Sequence, residues 1–317
     1  MKKLTSILIL LLIFSCKTSV KTESKTITIT NSELKTIVTY LASDGLQGRD
    51  TGSEGIEKAA TFLENQLKTY EVKPYFETYR DYFKVDSINA FNIVGVIEGN
   101  DPKLKNEYII IGAHYDHIGI SKKIVASDSI ANGANDNAAG TSSVLAMAKY
   151  FAAKKNNKRS LLFVLFSAEE KGLLGSKHLA DKLKSENINL YTMVNMEMIG
   201  VPFKDRDYVA FVTGYDKSNM AIKMNEYLGS KVIGFSEISK KYNLFRQSDN
   251  YAFYKAFNLP SHTISSCDLS NYDYYHHVDD EADKLDYNHM ANLINKIIPG
   301  IEKMSNTTTK EIVMYEK

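Results

Sequence analysis

Short apolar runs alternate along the chain with longer segments in which apolar residues recur at helical spacing. The apolar runs predict strands at Phe91–Ile97, Tyr108–Ile111, Leu161–Phe166, Leu190–Asn195, Tyr208–Thr213 and His262–Ser265. The helical segments are Asn31–Ala42, Ser53–Lys68, Ala138–Lys154, Gly172–Lys184, Ser218–Leu228, Ser248–Ala256 and Asp286–Lys303. Asn31 and Ser53 are expected to cap the first two helices. This alternation predicts one α/β domain, a sandwich of helices around a mainly parallel sheet.

The first sixteen residues follow a different pattern. Two lysines at positions 2 and 3 precede an apolar run over residues 4–14, which is too short to span a bilayer of about 30 Å. Residues 1–15 are therefore predicted to be a secretory signal peptide. Ser15-Cys16 resembles a bacterial lipoprotein processing site, which would make Cys16 the lipidated N-terminus. Residues 16–30 would be a flexible tether and residues 31–317 the folded domain, held at the bacterial cell envelope, or secreted if Cys16 is not lipidated.

Composition excludes some partners. A formal net charge of +1 and the lack of a long basic run argue against nucleic acid. The membrane would be contacted only through the lipid anchor, and the pattern carries no signal for an oligomeric state. Cys267 is the one cysteine besides Cys16, so lipidation of Cys16 would exclude an intramolecular disulfide. Cys267 is expected to be a small buried residue.

Polar side chains with metal-binding chemistry follow the predicted strands. In open α/β sheets, ligands gather at the carboxyl ends of strands. The candidates there are His114, Asp136, the adjacent pair Glu169-Glu170, Glu197, and His276-His277. Imidazoles and carboxylates without thiolates suit zinc, manganese or cobalt better than a sulfur-rich structural site.

Each candidate alone has an ordinary structural explanation. A histidine after a strand is commonly a hydrogen-bonded surface group, and Asp136 in "NGANDN" has the setting of a turn or cap residue. Glu169 and Glu170 are also suited to the first turn of a helix, where acids complement the helix dipole. Taken together, the candidates favour a metal site, because the ordinary explanation would have to hold at five separate positions.

The motifs "GAHYDH", "GANDNAAG", "SAEEKGLLGS", "NMEMIG" and "YYHHVDDEADKLD", in that order, resemble the M28 family of zinc-dependent aminopeptidases. The stretch "LASDGLQGRDTGSEG" near the start is also similar, and the resemblance extends over residues 34–286. It implies a mixed sheet between helices, two zinc ions and peptide substrates.

Residue roles follow from the same resemblance. Asp136 would bridge the two metals, and Glu169 would be the general base acting on a water shared between them. The remaining ligands would be His114 and Glu197 for one metal, and Glu170 and His276 for the other. Asp116 is expected to orient His114, and His117 is not expected to be a ligand. Residues expected beside the substrate or behind the ligands are Ser248, Asp249 and Tyr275.

The expected reaction is hydrolysis of N-terminal residues from peptides. Glu197 departs from the family, which usually has Asp at this position, so another M28-type peptidase or amidohydrolase, for example carboxypeptidase-like, is a second hypothesis. A single-zinc acyltransferase similar to glutaminyl cyclases is a third, although those enzymes line their pocket with tryptophan and this chain has none. A binding protein without catalysis is disfavoured because every ligand position and Glu169 carry competent groups.

Overall fold

The computed structural model of the chain describes residues 27–316. Within this range the α-helices are α1 Asn31–Leu41, α2 Glu54–Thr69, α3 Gly140–Lys154, α4 Leu174–Ser185, α5 Met220–Leu228, α6 Glu237–Lys241, α7 Asn250–Phe257 and α8 Tyr287–Asn306. The strands are β1 Lys73–Pro74, β2 Arg80–Val85, β3 Ile88–Ile97, β4 Glu107–His114, β5 Gly119–Val125, β6 Asp128–Ala131, β7 Ser160–Phe166, β8 Asn189–Met196, β9 Ala210–Val212, β10 Ile233–Gly234 and β11 Ser261–Ser265.

One large sheet runs through the molecule in the order β1-β3-β7-β4-β8-β11-β9-β10, with β2 paired to β3. Its centre is parallel, because β4 pairs in parallel with both β7 and β8, and β8 pairs in parallel with β11. The sheet becomes antiparallel where β3 joins β7 and where β9 joins β11. The mixed, mainly parallel sheet expected from the sequence is thereby confirmed.

The central strands are buried on both faces, and alternate side chains enter two different cores. Ile109 and Ile111 of β4 pack into the larger core with α1, α2, α3, α5 and α8, whereas Ile110 packs into a second core with α4 and α7. Every residue of β7 is buried. Since each face of a parallel sheet needs helices to cover it, this packing completes the predicted α/β/α sandwich.

Most predicted elements lie within a few residues of their observed bounds, although β1, β2, β10 and α6 were not predicted. Ser53 caps α2 as expected, but α1 is capped one residue early, by the hydroxyl of Thr30. The hairpin β5–β6 was not predicted because it is short, polar and largely exposed. The packed domain also begins before residue 31, since Ile29 is buried and its main chain bonds to the side chain of Asn295.

The predicted signal peptide, Cys16 and most of the tether lie outside the described residues. Among residues 27–316, none of the helices has the length and apolar character needed to cross a membrane.

Candidate metal centre

The predicted site residues meet at the carboxyl ends of adjacent strands. The order β7-β4-β8-β11 places the end of β4 between the ends of β7 and β8. His114 closes β4, Glu170 follows β7 and Glu197 follows β8. His276 lies on the long loop after β11, and Asp136 lies on the turn between β6 and α3. Strand order therefore explains how residues far apart in sequence become neighbours.

Asp136 stands between two groups of candidate ligands. Its Oδ1 lies 3.3 Å from Nε2 of His114, which is in turn 2.9 Å from Oε1 of Glu197. Its Oδ2 lies 3.3 Å from Nε2 of His276, which is 3.1 Å from Oε2 of Glu170. Each carboxylate oxygen of Asp136 thus faces a different histidine–carboxylate pair, as a bridging ligand would.

These donors fit divalent metal ions. Histidine and carboxylate donors are the types that zinc binds in catalytic sites. Asp136 is buried, and its Oδ2 makes no hydrogen bond to any described residue, although it lies close to two imidazoles. A buried carboxylate oxygen without a hydrogen bond is unfavourable unless something else neutralises it, and a cation at this position would do so.

His117, which was not expected to be a ligand, also lies in this centre. Its Nδ1 lies 3.0 Å from Oε1 of Glu170 and 3.7 Å from Oδ2 of Asp136, and the ring is fully buried. It can therefore bind a metal beside Glu170 or hold Glu170 in place. The sequence signal was its position three residues after His114 at the same strand end. His277 instead points towards Asp279, so the preference for His276 agrees with the geometry.

Charge and burial shift the pKa values of the centre in opposite directions. Burial works against a charged His114, yet Glu197 and Glu169 outweigh it and raise its pKa well above the ordinary value. For His276, burial opposes the charged form, but the nearby carboxylates of Asp136 and Glu170 outweigh it and raise the pKa to about 10. Both pKa values are raised because carboxylates surround the imidazoles, and a metal ion bound here would compete with protons for the same nitrogens.

Glu169 lies beside both groups without belonging to either. It lines the same cavity as the ligand candidates, and burial raises the pKa of its carboxyl well above the ordinary range despite the opposing charge of His114. Next to it, burial combined with the charge of Asp136 opposes ionisation of Glu170, but bonds to His117 and His276 lower that pKa. The two adjacent glutamates therefore have opposite protonation preferences.

Asp116 lies beside His114, where a residue that orients the imidazole was expected, and its main chain makes the closer contact. The imidazole of His114 donates from Nδ1 to the main-chain carbonyl of Asp116 at 3.1 Å, whereas the carboxylate lies 3.6 Å away. That carboxylate instead accepts the amide N–H groups of Glu169 and Glu170, at 3.2 and 3.4 Å. Because these amides follow β7 directly, the side chain of Asp116 ties the glutamate pair to the loop after β4.

Ser248 and Tyr275 line the cavity, and Asp249 does not. The Ser248 hydroxyl donates to Oε2 of Glu197 at 2.6 Å and accepts from the amide of Asn195, which fixes the orientation of Glu197. The Tyr275 ring stacks on His276 with centroids 4.0 Å apart. Asp249 is fully buried, and burial raises its pKa to about 7.

The cavity beside the centre has an apolar wall formed by Met198, Phe211, Leu244, Cys267 and Leu269. Cys267 is buried as expected, and burial raises the pKa of its thiol to about 12. This wall could receive an apolar side chain next to the metal-binding groups. Backbone strain marks the same region, since Ala168, Met198 and His276 all have left-handed φ values.

The fold and this centre define a zinc-exopeptidase-like α/β protein. Residues 92–299 match the model of peptidase family M28, and the chain belongs to that family. Aminopeptidase YwaD of Bacillus subtilis is 30% identical over 166 residues, which cover 52% of this chain. The chain spans only 33% of the length of that relative.

Two solved structures share the fold at low sequence identity. The zinc aminopeptidase BSAP of Bacillus subtilis has a TM-score of 0.70 at 14% identity, covering 92% of this chain and 99% of that one. Glutaminyl cyclase of Fimbriiglobus ruber has a TM-score of 0.69 at 17% identity, covering 88% of this chain and 96% of that one. The architecture is therefore common to enzymes with different reactions, and the reaction of each protein depends on the residues of its site.

Proposed function

We propose that this chain is a two-zinc exopeptidase that hydrolyses N-terminal residues from peptides. The observation that carries the proposal is the position of Asp136, whose two oxygens face two separate histidine–carboxylate pairs. His114 and Glu197 would hold one ion, and Glu170 and His276 the other, with His117 beside the second. The M28 match and the name of the relative YwaD support the same assignment.

Zinc ions bound here would polarise the scissile carbonyl and lower the pKa of water, which is the chemistry that two-metal hydrolases use. Glu169 would take the proton of the attacking water and deliver it to the leaving amine. Its burial suits this role, because a carboxyl with a raised pKa can both accept and return a proton near neutral pH. The surrounding carboxylates would attract the protonated amino group of a peptide.

A substrate panel tests this proposal against the two alternatives. We expect purified protein with two zinc ions per chain to hydrolyse aminoacyl anilides, to lose that activity with a chelator, and to regain it with zinc. Ammonia release from N-terminal glutaminyl peptides, with one zinc per chain, would instead support a cyclase-like acyltransferase. Cleavage restricted to the C-terminal bond of N-blocked peptides would indicate a carboxypeptidase. Glu197, which replaces the usual Asp, would then be linked to the change of reaction.

We also propose that Cys16 carries a lipid that holds the enzyme at the bacterial cell envelope. The support is the N-terminal sequence, in which a basic start and a short apolar run precede Ser15-Cys16. Expressed in a bacterium, the full chain should fractionate with membranes, and a Cys16→Ser variant should move to the soluble or secreted fraction. A wild-type chain that is released without lipid would support plain secretion instead.

A further inference from the structure

Arg49 is a fully buried arginine whose hydrogen bonds go to main-chain carbonyls. Its Nε donates to the carbonyl of Tyr115 at 2.9 Å, and its Nη2 donates to that of Gly133 at 2.9 Å. Its Nη1 donates to the carbonyl of Asn132 at 2.6 Å and also to that of Leu41. Two of the four partners, Asn132 and Gly133, precede Asp136, and a third, Tyr115, follows His114. The guanidinium therefore joins the two loops that carry the bridging carboxylate and the first histidine.

The residues around Arg49 make further contacts with the ligand-bearing loops. The side-chain amide of Asn132 donates to the carboxylate of Asp44 at 2.7 Å. The hydroxyl of Thr51 donates to Oδ2 of Asp116 at 3.2 Å and accepts the amide N–H of Ala168, the residue before Glu169, at 3.1 Å. The segment Asp44–Thr51 thus touches the loops after β4, β6 and β7, from which most of the candidate ligands project.

The backbone conformation of the segment Asp44–Thr51 allows it to pack closely against the end of β6. Gln47, Gly48 and Arg49 all have left-handed φ values. A Cβ on Gly48 would lie 2.3 Å from the carbonyl oxygen of Ala131, so only glycine allows the segment to pack this tightly against the end of β6. Three successive residues in an uncommon conformation persist only where surrounding contacts enforce them.

A buried anion holds the Asp136 loop from its other side. Both oxygens of Asp280 accept main-chain amides there, from Asn135 at 2.8 Å and from Asp136 at 3.0 Å. The hydroxyl of Tyr272 also donates to Asp280. Arg49 thus binds the main-chain carbonyls of Asn132 and Gly133, and Asp280 binds the main-chain amides of Asn135 and Asp136. The loop is therefore held through both its carbonyl and its amide groups.

We propose that Arg49 is a positioning residue for the metal centre and that the segment Asp44–Thr51, which precedes the residues 92–299 matched by the family model, is part of the frame of that centre. This proposal rests on the zinc site proposed above. The positively charged guanidinium repels a divalent cation and so cannot bind the metal itself. Arg49 acts instead by fixing the positions of the loops that carry the ligands. The planar guanidinium can donate to four carbonyls at once, and an ammonium group cannot reproduce that fork.

The test compares Arg49→Lys and Arg49→Met with Arg159→Lys and Arg159→Met in the full chain. Arg159 is also fully buried and donates to the carbonyls of Met304 and Thr307. It directly precedes β7, however, and so lies at the amino ends of the parallel strands, away from the metal centre. The readouts are the zinc dissociation constant by chelator competition, the visible spectrum of the cobalt-substituted protein, and the midpoint of thermal unfolding.

We expect both Arg49 variants to bind zinc about 10–100-fold more weakly, the range seen when partners that orient ligands are removed, and to change the cobalt spectrum. The Arg159 variants should unfold at lower temperature with wild-type zinc affinity and spectrum. Wild-type affinity in Arg49→Lys and Arg49→Met, or an equal loss in the Arg159 variants, would overturn the proposal. If the Arg49 variants do not fold, Thr51→Val tests the second part of the proposal, the role of the segment Asp44–Thr51, with weaker zinc binding expected and unchanged binding contradicting it.

Failure of the proposed function gives a different result. A wild-type chain that binds no zinc would refute the metal centre itself. A wild-type chain that binds zinc, with Arg49 variants that bind it equally well, would leave the peptidase proposal intact and refute only the role of Arg49.

Discussion

A Glu169→Gln variant is expected to lose about 10²–10⁴-fold in kcat on peptide substrates while keeping its zinc, which is the effect of removing a general base. The amide has nearly the same shape as the carboxyl but cannot accept and return a proton. Glu169 lines the cavity yet belongs to neither group of candidate ligands, so the metals should remain. Steady-state kinetics and zinc content per chain, measured on the same preparation, test both parts.

The neighbouring Glu170→Gln variant is the matched control. Oε1 of Glu170 lies 3.0 Å from His117, and its Oε2 lies 3.1 Å from His276, so this substitution should release zinc. A Glu169→Gln variant with wild-type kcat would refute the assignment of the base. One that lost zinc as readily as Glu170→Gln would show that Glu169 is a ligand.

Replacing Asp136 with Asn should remove both metal ions and all hydrolytic activity. Each oxygen of Asp136 faces a different histidine–carboxylate pair, and the neutral amide offers one acceptor oxygen and one N–H₂ donor. Changes to residues that only orient ligands weaken metal binding about 10–100-fold, so loss of a shared ligand should exceed about 100-fold. Zinc content after dialysis against a weak chelator, with chelator titration of the wild type beside it, measures the effect.

Asp249→Asn is the appropriate control for that experiment. Asp249 is as deeply buried as Asp136 and lies near the same charges, but it is in neither ligand group. Because burial disfavours the charged form of Asp249, we expect a neutral side chain to be tolerated there and the variant to retain both zinc ions. Equal zinc loss in the two variants would mean that Asp136 acts through the general charge of the site instead of by bridging.

The strand ends were predictable because the signal is local. Leu161–Phe166 has no polar residue, the structure buries all of β7, and Glu169 and Glu170 come within four residues of its end. In the same way, His114 closes β4 and Glu197 directly follows β8. An apolar run and the residue types that follow it can be recognised without knowing which strand lies beside which.

Contacts between distant residues were not predictable in the same way. His117 was set apart from the ligands, yet its ring meets Glu170, which lies 53 residues further along the chain. Asp116 contacts His114 as expected, but the bonds from its carboxylate to the amides of the glutamate pair join residues more than 50 positions apart. Arg49 and Asp280 were not singled out, because nothing local to either shows that both bind the Asp136 loop.

The sequence by itself determined the donor types, the secondary elements on which they lie, and the family to which the chain belongs. Those properties depend on residue chemistry and on short-range periodicity. Only the tertiary structure decided which oxygen of Asp136 faces which histidine, because that depends on the order of the strands and on how the loops at their ends pack. Hydrogen-bond geometry changes over a few tenths of an ångström, and that is set when the elements pack together.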